Sequence, residues 1–144
     1  MNRAGVAGAL LAATLLIGGC SGATVSSTTG PTAAAAPAAG SSLSAADFAA
    51  AAKLPDTILL DVRTPSEFAA GHITGAVNLD VESPEFPQLV AALDPAKNYA
   101  VYCRSGNRSK VAMTAMNQAG FTHLFDLAGG IGAWQSAGGP VVTN

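Results

Sequence analysis

Cysteine, aromatic residues and charge are all scarce in this 144-residue chain, which has two cysteines, 6% aromatics and 11% charged residues. Each scarcity excludes something. Neither CxxC nor HExxH occurs, and His72 and His123 stand apart, so no metal site is expected. There is no basic tract, and the formal net charge is −2, which leaves no electrostatic footprint for nucleic acid. No apolar run reaches the roughly 20 residues that a bilayer-spanning helix needs. The length suffices for one domain and falls short of two with cores of their own.

The charges that exist are unevenly placed. Arg3 is the only one before Asp47; all nine acids and the other six bases follow, giving that part −3 (six minus nine). The start, "MNRAGVAGALLAATLLIGGC", joins Arg3 to an uncharged apolar run and ends in small residues before Cys20. This resembles a bacterial lipoprotein leader: residues 1–19 are read as a cleaved signal peptide and Cys20 as the lipidated new N-terminus. Acyl chains contribute about 0.8 kcal/mol per buried CH₂, so two or three anchor a protein firmly on a membrane. The expected location is therefore extracytoplasmic, in the cell envelope or periplasm. Residues 20–42 are Ala, Ser, Thr, Gly and Pro with no apolar period, which reads as a flexible tether.

Residues 43–144 alternate strand and helix signals, the mark of an α/β fold with a parallel sheet. "SAADFAAAAK" is a helix capped by Ser44, and "TILLDV" a buried strand. "TPSEFAAG" specifies a helix compactly: Thr64 caps, Pro65 takes the first position, Glu67 closes a capping box and Gly71 ends the turn. "GAVNLD" reads as a strand, and "SPEFPQLVAAL" as a helix capped by Ser83 with Pro84 first. "NYAVYC" is a strand, "SKVAMTAMNQAG" a helix with Gly120 at its C-cap, "THLFDL" a strand and "GGIGAWQSAGGPV" a closing helix with a tail.

The informative stretch is "YCRSGNRSK". With Cys20 acylated, Cys103 has no partner for an intrachain disulfide, and an unpaired cysteine in an exported protein marks reactivity. Its strand delivers it to the carboxyl end of the sheet, where open α/β sheets bind ligands. Gly106 lets the backbone N–H groups of Arg104, Ser105, Asn107, Arg108 and Ser109 converge on the sulfur, and the next helix points its positive end there. Arg104, Arg108 and Lys110 add charge. All three effects favour thiolate, so Cys103 is expected to titrate below the free-cysteine value of about 8.5.

Three ordered motifs, "LLDVRTPSEFAAGHITGAVNLD", "VYCRSGNRS" and "LAGGIGAW" followed by "GGPV", resemble the rhodanese family over Leu43 to Val142. The resemblance implies a five-stranded parallel sheet flanked by helices on both faces, the fifth strand falling near Ser41 to Ser44. It implies sulfur transfer without a cofactor. Cys103 takes sulfane sulfur from a small anionic donor such as thiosulfate, holds it as a persulfide and gives it to cyanide or a thiol. Arg104 and Arg108 are candidates for the anion. Asp61 and Arg63 are expected to support the loop, Glu67 to pair with Arg63 or serve only the capping box, and His72 to be structural. A rhodanese loop has six residues, here Cys103 to Arg108; the related phosphatases and arsenate reductases use seven ending in arginine, and the seventh here is Ser109. A non-enzymatic persulfide carrier or protein-binding module of the envelope is the alternative.

Overall fold

The computed structural model describes residues 35–143. The expected leader, Cys20 and the first part of the tether lie outside the described residues. Strand β1 (Ser41–Leu43) leads to helix α1 (Ala45–Ala51), β2 (Thr57–Asp61), α2 (Pro65–Ala70), β3 (His72–Ile73) and β4 (Val77–Asn78). Then come α3 (Phe86–Ala91), β5 (Asn98–Tyr102), α4 (Asn107–Gln118), β6 (Leu124–Leu127), α5 (Gly130–Ser136) and β7 (Val141–Val142).

Five strands form one parallel sheet in the order β1-β6-β5-β2-β4. The expected fifth strand is β1, and it begins inside the stretch read as tether. Ser41 and Ser42 carry no apolar pattern; backbone pairing with Phe125 and Asp126 of β6 recruits them. β3 and β7 form a separate antiparallel pair, which the two-residue lengths concealed in the sequence. No helix among the described residues is long and apolar enough to cross a membrane.

Alternation along the strands divides the core in two. Tyr99, Val101 and Cys103 of the β5 segment pack with Phe86 and Val90 of α3 and Ala112, Met113 and Met116 of α4. Ala100 and Tyr102 face the other way, onto Phe48 of α1 and Ile131 and Trp134 of α5. Helices thus cover both faces, as expected. Tyr99, Tyr102, Phe48 and Leu60 are fully buried, each burial contributing about 1.5–3 kcal/mol.

Side-chain caps explain two of the five helix starts among the described residues. The Ser44 hydroxyl accepts from Asp47 N–H, and at α2 both halves of the Thr64–Glu67 capping box form. Helix α3 differs: Glu85, not Ser83, is its N-cap, with no side-chain cap bond. Had the helix begun at Pro84, Pro87 would sit where the first intrahelical N–H is required; starting at Phe86 puts Pro87 among the positions that need none. Helix α4 starts at Asn107, two residues before the expected Ser109, and ends with Ala119 as its cap, Gly120 following at φ 95°.

The strand order has a reversal. From β2 the chain moves outward to β4, and from β5 it moves the opposite way to β6. The crevice at such a switch point lies beyond the carboxyl ends of β2 and β5. Asp61 to Arg63 and Cys103 occupy those ends.

Candidate active site

Cys103 directly follows β5 and is 1% exposed. It is enclosed by its own loop. At Gly106 the backbone turns left-handed, φ 93°, a conformation that costs a residue with a Cβ about 1–2 kcal/mol. The Gly106 N–H donates to the sulfur, 3.1 Å away. Helix α4 begins at the next residue, so its positive end also faces the thiol.

Burial alone pushes the Cys103 thiol up, but hydrogen bonds, chiefly from the backbone N–H groups of Ser109, Ser105 and Gly106, outweigh it and hold the thiol below its ordinary value. The arginines do less than expected. Arg108 turns away: its guanidinium grips both carboxylate oxygens of Glu67 at 2.8 Å and reaches Glu82 at 2.9 Å. Glu67 falls to about 2 in consequence. So Glu67 serves the capping box and Arg108, not Arg63. Arg104, Ser105, Asn107 and Lys110 are exposed, while Gly106 and Ser109 are buried.

Asp61 and Arg63 form a buried pair of their own, 2.5 Å at the closest approach, with Arg63 also donating to the Gly71 carbonyl at 2.7 Å. Burial lowers the Arg63 guanidinium's proton affinity, and the Asp61 carboxylate more than restores it, so the net shift is upward. The pair ties β2 to the end of α2. His72 lies within this support: Nδ1 is 2.9 Å from the Phe68 carbonyl and the two rings stack at 3.7 Å. Its structural reading matches that placement.

The loop's outer wall comes from the start of α5. Ile131 N–H donates to the Cys103 carbonyl at 2.8 Å, and Gly132 N–H to that of Arg104 at 3.3 Å. With those carbonyls held outward, the following N–H groups point inward. A Cβ at Gly130 would collide with both carbonyls, and one at Gly129 with Ala133, so each of the two glycines at the start of the helix is required.

The family model for the rhodanese-like domain matches residues 44–137. This chain belongs to the rhodanese-like family. Over 91 residues the chain is 40% identical to thiosulfate sulfurtransferase 16, a chloroplastic protein of Arabidopsis thaliana, covering 56% of this chain and 76% of that one. It is 37% identical over 87 residues to a sulfurtransferase of Allochromatium vinosum, covering 60% and 79%. A rhodanese-related protein from Thermoplasma volcanium superposes with a TM-score of 0.64 at 36% identity, over 72% of this chain and 99% of that one.

Two participants in the rhodanese-like site escaped the sequence. Asp126 of β6 is fully buried, with its carboxylate bonded to Ser109 Oγ at 2.8 Å and to Ser42 Oγ. An acid inside the apolar run "LFDL" was the available signal, of the same kind as Asp61 in "TILLDV". Ser42 lay in a stretch without pattern and gave none.

Proposed function

We propose that the chain is a sulfurtransferase that moves sulfane sulfur from an anionic donor such as thiosulfate to cyanide or a thiol. The observation that carries this is the Cys103 sulfur beneath the Gly106 amide at the carboxyl end of β5. The thiolate attacks the outer sulfur of thiosulfate. A Cys103–sulfur bond forms, the bond to sulfite breaks, and sulfite leaves with the electron pair as a dianion. The persulfide keeps one negative charge, as the thiolate had. Cyanide then attacks the outer sulfur and departs as thiocyanate, returning the thiolate.

One ring of N–H donors serves both anionic states, because thiolate and persulfide place charge in the same cradle. Exposed Arg104 attracts the doubly charged donor, and Arg108, committed to Glu67 and Glu82, holds the loop against α2. That commitment also disfavours phosphate or arsenate chemistry, in which a loop arginine must grip the oxyanion. Purified protein given thiosulfate and cyanide forms thiocyanate, and Cys103→Ser does not. A protein that gains the mass of one sulfur atom but never turns over is a carrier, and the enzymatic reading is then withdrawn.

The same proposal has the domain working outside the cytoplasm, anchored through an acylated Cys20. Arg3, the uncharged run and "LIGGC" support it. Incorporation of a labelled fatty acid that is lost in Cys20→Ala tests it.

A further inference from the structure

Asp126 is one hydroxyl away from the nucleophile, and sulfur transfer as described gives it no task. It stands on β6, next to β5, the strand that leads into Cys103. Its carboxylate is completely enclosed, yet it takes part in none of the ion pairs among the described residues. Two serine hydroxyls are its partners, Ser42 Oγ from β1 and Ser109 Oγ from α4, the latter at 2.8 Å. A carboxylate held in a sheet interior by neutral donors alone is unfavourable for packing, and its neighbours Leu124, Phe125 and Leu127 show what packing alone selects there.

The Ser109 hydroxyl donates toward two oxygens, and the Cys103 thiol points at it as a donor. Asp126 Oδ2 lies at 2.8 Å, the Gly106 carbonyl at 3.1 Å and Cys103 Sγ at 3.8 Å. The shortest of these contacts is to Asp126, and there the hydroxyl donates to the carboxylate oxygen. We propose that Asp126 is a positioning residue which draws the Ser109 hydrogen away from the sulfur, leaving Ser109 to face Cys103 as an acceptor. The thiol can then donate to Ser109, and the thiolate is stabilised chiefly by the backbone N–H groups of the loop.

This has a use in sulfur transfer. Nucleophilicity of a thiolate falls as its pKa falls, so a site that stabilises the anion without limit weakens the attack. Asp126 sets that limit through Ser109. The other charged groups around the loop are already committed or turned outward. Asp61 pairs with Arg63, Arg108 with Glu67 and Glu82, and Arg104 and Lys110 are exposed. Helix α5 and strand β5 contribute no charged residue.

The inference rests on Cys103 being the reactive thiol, as proposed above, but its test reads alkylation and not sulfur transfer. The rate of iodoacetamide modification is followed against pH. In Asp126→Asn the amide donates to the Ser109 oxygen, which frees the hydroxyl hydrogen for the Gly106 carbonyl or the sulfur and weakens Ser109 as an acceptor for the thiol. The midpoint is expected to fall by about one pH unit, roughly tenfold more thiolate below the midpoint. Ser109→Ala removes only an acceptor, so its midpoint does not rise, and the double variant titrates like Ser109→Ala. An unmoved midpoint in Asp126→Asn overturns the proposal. So does a shift that persists without Ser109, which would mean a direct charge effect. A rise in Ser109→Ala overturns it too, because Ser109 would then be a donor to the thiolate. That last arm decides the matter alone if circular dichroism finds Asp126→Asn unfolded.

Discussion

The backbone amide of Gly106 stands 3.1 Å from the sulfur of Cys103, three residues earlier in the chain. The chain passes from that amide into helix α4 through a left-handed turn, which Gly106 supplies at φ 93°. Gly106→Ala is therefore expected to cost about 1–3 kcal/mol of stability from backbone strain. As the turn relaxes, the amide swings off the sulfur and the alkylation midpoint of Cys103 rises. Denaturant unfolding and the pH dependence of alkylation check the two effects. A variant that loses stability while keeping the wild-type midpoint would remove the Gly106 amide from the account of thiol acidity.

Two arginines in one loop have separate duties. Arg104 is exposed, whereas Arg108 is held by Glu67 and Glu82. Arg104→Ala is expected to raise KM for thiosulfate about three- to tenfold, the scale of one charge acting on a dianion across water, with Tm unchanged. Arg108→Ala should do the reverse, costing about 1 kcal/mol of stability with a smaller effect on KM. Steady-state kinetics and thermal melts on both variants decide it. Equal effects of the two on KM would mean Arg108 leaves its carboxylates to meet the donor.

How much of this was legible in the sequence depended on the range of the interactions. The capping box at Thr64 to Glu67 and the strand delivering Cys103 are local, written in consecutive residues, and the fold class followed from their alternation. The Glu67–Arg108 pair spans 41 positions and Ser42–Asp126 spans 84, distances over which one sequence alone gives no pairing. Arg63 was the nearer candidate for Glu67; burial beside Asp61 claimed it first. β3 and β7 are two residues each and exist because they find each other, so no periodicity announces them.

Arg63 is 5% exposed and its partner Asp61 is wholly buried. Asp61→Ala would leave a guanidinium enclosed without its carboxylate, a loss on the order of 3–5 kcal/mol. Because the pair anchors β2 and the end of α2, the damage should appear as a lower urea midpoint before it appears in catalysis. Thermal and urea melts measure it. A loss under about 1 kcal/mol would show that water or Gly71 suffices to hold Arg63.

Glu67 makes stability depend on pH in a defined direction. The Arg108 guanidinium lowers its carboxyl from 4.5 to about 2. A group depressed on folding contributes fully above its unfolded value, and the contribution is lost as pH falls through the folded one. The window therefore runs from about 4.5 down to about 2. Since the pair is partly open to solvent, the full contribution is about 1 kcal/mol, less than the shift alone implies. Glu67→Gln removes the titration, so wild type and variant should differ in urea-derived stability near neutrality and converge on acidification. A gap that stays constant from neutral pH through this window would mean that the capping bond to Thr64, and not the ion pair with Arg108, is what Glu67 supplies.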